Sequence, residues 1–136
     1  LQMAATNAFE ATGMGLEQLM KGLAASAFTN QMSNKIDQAL AKANPPPGKG
    51  VLLYTWVHIA KGNSSIFRDP GASISGYYST KDEAIRASKS MQNMHALHNG
   101  YNLVWTYDFL PPGNIRNPLQ NLGAAAFVAT SGCNIC

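Results

Sequence analysis

The chain has 136 residues, the length of one ordinary domain that buries a single core. Only 12% of the residues are charged, and ten basic against seven acidic residues give a formal net charge of +3. The basic residues are scattered along the sequence, which disfavours specific binding to duplex DNA. No apolar run reaches the roughly 18 residues of a membrane span, and the N-terminus lacks the basic start and apolar block of a signal peptide.

A run of three prolines separates two parts of different composition. Residues 1–43 are rich in Ala, Met, Gln and Asn and contain no Pro, whereas the sequence after Asn44-Pro45-Pro46-Pro47-Gly48 is aromatic, β-branched and rich in turn residues. We therefore predict a helical lead-in with a Pro hinge over 1–47 and a compact α+β domain over 48–136. We also expect the lead-in to contribute less to the core than 51–110, and the hinge to be cut first by a protease.

Apolar residues in the lead-in recur at steps of three and four, as on an amphipathic helix. One run covers 16–27, and a second covers 32–43 after Thr29-Asn30, with Ser33 as a candidate N-cap. The second run ends before Pro45, because proline disfavours helical geometry at the preceding residue. The pattern predicts two helices that pack on the core or act as a connector; the alternative is a helix that binds a membrane or a partner.

The compact part begins with a predicted strand over 51–60, which is apolar on both faces and is therefore expected in the centre of a sheet. We predict a loop over 61–65, a turn at Asp69-Pro70-Gly71 and a second strand over 73–79. One face of the first strand carries Leu52, Tyr54, Trp56 and His58.

Local signals are strongest between residues 80 and 110. Thr80-Lys81-Asp82-Glu83 has the pattern of a capping box, and an apolar stripe behind it predicts one helix over 81–98 with a left-handed stop at Asn99-Gly100. Aromatic and polar residues then alternate over 101–109, which predicts a strand. We read 114–136 as loop-like. The order of elements predicts an α+β fold with a small antiparallel or mixed sheet.

Four residues in the C-terminal third of the chain have the spacing of metal ligands. His95-x-x-His98 and Cys133-x-x-Cys136 each fit two ligands of one zinc ion, and His58 is a further metal-binding side chain. The cysteines equally suit a disulfide or redox pair, or two free thiols in a reducing compartment. The histidines also suit the end of a helix. We favour free thiols and assign no metal site.

A second set of candidates lies near the ends of the three predicted strands. If these strands are neighbours, an imidazole, tyrosine rings and a carboxylate converge in one cleft. Such a set suits cleavage of a glycosidic bond with a cationic leaving group, such as the bond between nicotinamide and ribose in NAD. The aromatic rings would sandwich the nicotinamide, and the carboxylate would stabilise an oxocarbenium-like transition state. The weak positive charge suits a dinucleotide. We assign as catalytic His58, Tyr77 and Asp108, and as NAD-binding Tyr54, Tyr78 and Ser79. The alternative is that the tyrosines bridge core and solvent and the Asp caps a turn.

The succession Leu53-Tyr54…His58, then Gly76-Tyr77-Tyr78-Ser79-Thr80 before a helix, then Tyr107-Asp108 resembles the ADP-ribosyltransferase-like toxin domains of His-Tyr-Asp or His-Tyr-Glu type. The resemblance covers 51 to about 118. In this chain His58 follows Tyr54 by four residues, and no acidic residue follows Asp108.

The resemblance implies that a cleft between small split sheets binds NAD as a substrate, for transfer of ADP-ribose or hydrolysis of NAD. Such domains are C-terminal effector modules of bacterial polymorphic toxins. The resemblance therefore also implies a secreted effector that acts in the cytoplasm of a target cell, a macromolecular acceptor and a cognate immunity protein.

Two other functions remain open from the residues alone. A metal-independent ribonuclease needs groups that activate the 2′-hydroxyl, protonate the leaving oxygen and stabilise the phosphorane. Candidates for these roles are His58, Lys61, Ser64, Ser65, Arg68 and Tyr77. The third possibility is a non-catalytic interaction module.

Overall fold

The computed structural model of the chain describes residues 7–9, 26–63, 65–91, 100–120 and 125–131. In chain order they form strand β1 (Asn7–Phe9), helix α1 (Ser26–Ala41), strands β2 (Gly50–Ala60) and β3 (Phe67–Tyr78), helix α2 (Lys81–Lys89), and strands β4 (Tyr101–Leu110) and β5 (Ala126–Ser131). The strands form one sheet in the order β1-β5-β4-β2-β3, with every described pair antiparallel. The predicted α+β class is confirmed, and the sheet is the antiparallel alternative.

The pairing of β2 with β4 divides the sheet into two sides. This pairing is regular from Val51–Leu110 to Ala60–Tyr101, and successive strand residues point to opposite faces. The side that packs against α1, called the α1 side, carries Val51, Leu53, Val57, Ile59, Val104 and Leu110. The opposite side packs against Ala84 and Ile85 of α2 and is called the α2 side. It carries Leu52, Leu103, Trp105, Tyr107 and Phe109. As predicted, β2 is central and apolar on both faces.

Helix α1 closes the α1 side of the core with one continuous apolar stripe. Phe28, Met32 and Ile36 are fully buried, and Ala39 is nearly so. The helix runs through Thr29-Asn30, so the prediction of a new helix capped by Ser33 is wrong; the stripe at four-residue steps continues across that point. Residues 16–25 of the other predicted helix lie outside the described residues.

The lead-in therefore shares a core with the sheet, although 44–49 connect them through a turn in which the Lys49 amide donates to the Pro46 carbonyl. The division at residues 47 and 48 stays a prediction for limited proteolysis. Two described segments depart from the expected structure. Residues 7–9 are a strand and not helix, and 126–131 are a strand and not loop, because they pair with each other at the sheet edge.

Helix α2 begins as predicted and ends earlier. The Thr80 hydroxyl accepts a hydrogen bond of 3.2 Å from the Glu83 amide, which confirms that half of the capping box. The helix ends at Lys89 because Ser90 and Met91 donate their amides to carbonyls three residues back. The prediction of one helix reaching residue 98 is therefore wrong at this point; residues 92–99 lie outside the described residues. Gly100 has the expected positive φ, 79°.

The predicted turn at Asp69-Pro70-Gly71 is a β-bulge inside β3. Trp56 and His58 of β2 pair with Gly71 and Arg68, so β3 holds one extra residue there, and Asp69 has a φ of 51°. Residues with turn propensity supply this geometry within a strand. A second extra residue, Ser75, lies between the partners of Leu52 and Leu53. These two bulges decide which β3 side chains face each side of the sheet.

Candidate functional site

The two sides of the sheet separate the residues predicted to form an NAD site. Tyr54, His58 and Tyr78 pair with Tyr107, Leu103 and Gly50, which places them on the α2 side. Tyr77 pairs with Val51 and Asp108 with Leu53, which places both on the α1 side. The predicted cleft shared by His58, Tyr77 and Asp108 is therefore wrong, because the sheet lies between the imidazole and the other two side chains.

The residues that do share the α2 side are also spread along it. Tyr78 is level with Gly50, eight residues from His58 along β2. At about 3.4 Å per strand residue these two positions are about 27 Å apart. Ser79 follows Tyr78 at the entry to α2. One ribose cannot contact both ends of this row, so the described residues do not converge on a nucleotide here.

Tyr54 belongs to an aromatic cluster on the α2 side. Its ring stacks on Trp56 with the ring centres 5.0 Å apart and lies 4.9 Å from the ring of Tyr107. Burial raises the pKa of the Tyr54 phenol, and the neighbouring Tyr107 raises it further. Burial also raises the pKa of Tyr107 to about 12. Both phenols are neutral at physiological pH, so these residues contribute aromatic packing rather than a base.

Asp108 is a core residue and not a residue of an open cleft. Only 4% of its surface is exposed. The Thr106 hydroxyl donates to its carboxylate at 3.1 Å, and Thr106 shares a hydrogen bond of 2.6 Å with Thr55. Burial raises the pKa of Asp108 to about 7, against a smaller lowering by the Thr106 hydrogen bond. Within the described part of the chain, this carboxyl group is therefore not open to a substrate.

The ribonuclease candidates are brought together only in part. His58 and Arg68 are cross-strand partners, with Lys61 and Ser65 in the loop that joins their strands. His58 is 6% exposed, and the Arg68 guanidinium bonds to Asp69 at 2.9 Å and lies over the ring of Tyr101. Tyr77 lies at the other end of β3 on the opposite side of the sheet, so its predicted place in this set is wrong. Ser64 lies outside the described residues.

Within the described part of the chain, no three His, Cys, Asp or Glu side chains are placed to hold a metal ion. The zinc alternative rests on His95, His98, Cys133 and Cys136, which lie outside the described residues. Neither described helix has the length and apolar character needed to cross a bilayer.

A groove that the sequence did not predict lies between α1 and β3. Its volume is about 430 Å³. We call it the α1–β3 groove; it is lined by Lys35, Gln38, Ala39, Lys42, Trp56, Pro70, Gly71, Ala72, Ser73, Ile74 and Tyr77. Among the residues that the structure describes, this lining contains two cations and no Asp, Glu, His or Cys.

The positive wall of the groove follows from the amphipathic pattern of α1. Lys35, Gln38 and Lys42 follow one another at steps of three and four residues; Lys42 directly follows the last residue of α1 and continues the same face. Asp37 is the one acidic residue of α1, and it points away from this wall to accept a hydrogen bond of 3.0 Å from the Asn117 side chain. The lysines are therefore not neutralised by an acid from their own helix.

The opposite wall is the open edge of the sheet. Strand β3 is the last strand, and its outer edge pairs with no described strand. Gly71 lies directly under the Trp56 ring, where a Cβ atom would stand 2.1 Å from a ring carbon. The missing side chain lets the indole cross the strand and reach the groove. At one end, the Tyr77 hydroxyl accepts a hydrogen bond of 2.9 Å from the Asn44 amide and ties the α1–β2 connection to β3.

Two features of the sequence point to this groove in retrospect. The seven-residue spacing of Lys35 and Lys42 marks one helix face, and the Pro70-Gly71 pair marks an interrupted edge strand. Neither feature says that α1 packs beside β3, which is a tertiary fact.

No protein family model, curated protein or solved structure matches this chain.

Proposed function

We propose that this chain is a non-catalytic interaction module that binds a negatively charged partner in the α1–β3 groove. The observation that carries the proposal is the pair Lys35 and Lys42, which faces an open strand edge in a lining without acidic residues. Cations on a concave wall attract anions and fix their orientation.

The chemistry of the groove favours binding over catalysis. General acid–base and nucleophilic mechanisms need a titratable group within hydrogen-bond reach of the reacting atoms. The described lining offers hydroxyl, amide, ammonium and aromatic groups, and it contains no carboxylate or imidazole to act as a general base. The imidazole of His58 and the carboxyl of Asp108 are buried elsewhere.

The test of the proposal reverses the charge of the groove. The ligands to test are NAD, a single-stranded oligonucleotide and polyglutamate. For each ligand that the unmodified chain binds, the variant Lys35→Glu/Lys42→Glu should have an affinity lower by about tenfold or more, since each lost or reversed ion pair contributes up to about 1 kcal/mol. The control Lys61→Glu/Lys81→Glu carries the same net charge on exposed residues outside the groove. Equal affinities of the two variants, or no binding of any polyanion, would refute the proposal.

A second candidate is the NAD-using effector that the sequence resemblance implies. Two observations favour a dinucleotide: the lysines suit a pyrophosphate, and Trp56 and Tyr77 supply aromatic surface for a base. Tyr77 is the one member of the predicted catalytic set that lines the groove. The effector role, the acceptor and the immunity protein are part of this candidate.

Incubation of the chain with NAD, followed by detection of free nicotinamide, separates the two candidates. Release that is lost in Tyr77→Phe supports the second, and binding of NAD without release supports the first. Degradation of RNA without loss of NAD would instead select the ribonuclease alternative.

A further inference from the structure

Building on the proposed function, we infer that the α1–β3 groove takes an extended peptide segment that adds as a further strand to β3 and alternates acidic with apolar side chains. This names the partner class for the proposed anionic ligand.

The edge of β3 provides the backbone partner. Residues Gly71 to Ile74 pair in regular register with Trp56 to Leu53, between the bulges at 69–70 and at 75. In an antiparallel ladder, residues alternate between those whose N–H and C=O bond to the neighbour and those whose groups point away. On an edge strand the outward groups are open to an added strand, which is a known mode of peptide recognition.

The groove follows this edge. Its lining includes five consecutive β3 residues, 70 to 74, rather than scattered side chains. Pro70 has no N–H to donate, and the bulge beside it turns the strand, so the open ladder is short. A segment of about four to six residues matches it, at about 3.4 Å per residue.

The charges fit one face of such a segment. Lys35 lies on α1 and Lys42 directly follows its last residue, so the two are seven residues apart, about 10 Å along the helix axis. Side chains on one face of a strand repeat at about 7 Å. Two carboxylates at alternate positions of the added strand therefore come within reach of the flexible lysine side chains.

The other face of the segment meets an apolar surface. Trp56 lies on the α2 side and crosses Gly71 to the groove, stacked on Tyr54 behind it. Alternate residues of an added strand point to opposite sides of the sheet. The residues between the carboxylates would thus face the indole, which predicts aliphatic or aromatic side chains there. A nucleotide would meet the lysines but would leave the backbone edge without partners.

Selection from random 12-residue peptides displayed on phage tests this inference, with counter-selection on Lys35→Glu/Lys42→Glu. We expect sequences that alternate acidic and apolar residues over at least four positions without Pro. A synthetic selected peptide should bind the unmodified chain at least tenfold more tightly than the double variant. Its binding should also change the tryptophan fluorescence of the unmodified chain, and this change should be absent in a Trp56→Phe variant.

Backbone methylation of this peptide tests strand addition without changing the protein. N-methylation of one alternate set of amides should weaken binding at least tenfold, and methylation of the other set should change it less than threefold. Equal tolerance of both sets, or selected peptides indifferent to the lysines, would overturn the inference. If NAD or an oligonucleotide binds in the groove but no peptide binds there, the peptide inference is overturned and the proposed function stands. If no anion binds, the peptide inference and the proposed function are both overturned.

Discussion

Replacing Asp108 with Asn should stabilise the protein at neutral and alkaline pH, because the native carboxyl group is costly to ionise. Its pKa is raised by burial from 3.8 to about 7. The folded state therefore binds this proton more tightly than the unfolded state does. The contribution of Asp108 to the free energy of unfolding is then greatest below pH 3.8, falls as the pH rises through the interval from about 4 to 7, and levels off above it.

The size of the effect follows from the width of that interval. A shift of about three pKa units corresponds to about 4 kcal/mol, at about 1.4 kcal/mol per unit. The side-chain amide that replaces the carboxyl group is neutral at every pH and can accept the same hydrogen bond from Thr106. The advantage of Asp108→Asn should thus be near zero at pH 4 and approach about 4 kcal/mol at pH 8.

Urea unfolding of both proteins at several pH values between 4 and 8 measures this difference. The matched control is Asp82→Asn, which changes an exposed acid in the first turn of α2 and should give a small difference. A difference between the Asp108 variant and the unmodified chain that does not grow with pH would refute the reasoning, since it would mean that Asp108 ionises as easily in the folded state as in the unfolded state.

Three further substitutions test the packing. Ile36→Ala should lower the free energy of unfolding by about 2–5 kcal/mol, because Ile36 is fully buried between α1 and the sheet; a loss under about 1 kcal/mol would mean that α1 is not part of the core. Thr80→Ala should cost about 1 kcal/mol by removing the cap of α2, while Thr80→Ser retains the hydroxyl and should restore most of it. Gly71→Ala should displace the Trp56 ring and cost about 1–3 kcal/mol, and unchanged tryptophan fluorescence would contradict the described contact.

The elements that local signals specify were predictable from the sequence. The alternation of residues 101–109 and the apolar run of 51–60 gave β4 and β2 to within one residue at each end. The hydroxyl and amide of the Thr80 cap lie three residues apart, so this start of a helix is also a local property. These signals needed no knowledge of distant partners.

The candidate site was not predictable, because it depends on register. Ser73 pairs with Tyr54, so simple alternation would place Tyr77 on the same side as Tyr54. The extra residue Ser75 reverses this, and Tyr78 takes that side instead. Likewise, the pairing of Asp108 with Leu53 sets its side of the sheet, and no local pattern fixes that pairing. The α1–β3 groove arises only when α1 packs beside the edge strand.

The central claim is that the α1–β3 groove binds a negatively charged partner through its two lysines. The most direct measurement is the ratio of dissociation constants for one selected acidic peptide with Lys35→Glu/Lys42→Glu and with the charge-matched control Lys61→Glu/Lys81→Glu. We predict a ratio of about ten or more at low salt, falling as the ionic strength rises and screens the charges. A ratio near one at low salt would contradict the claim.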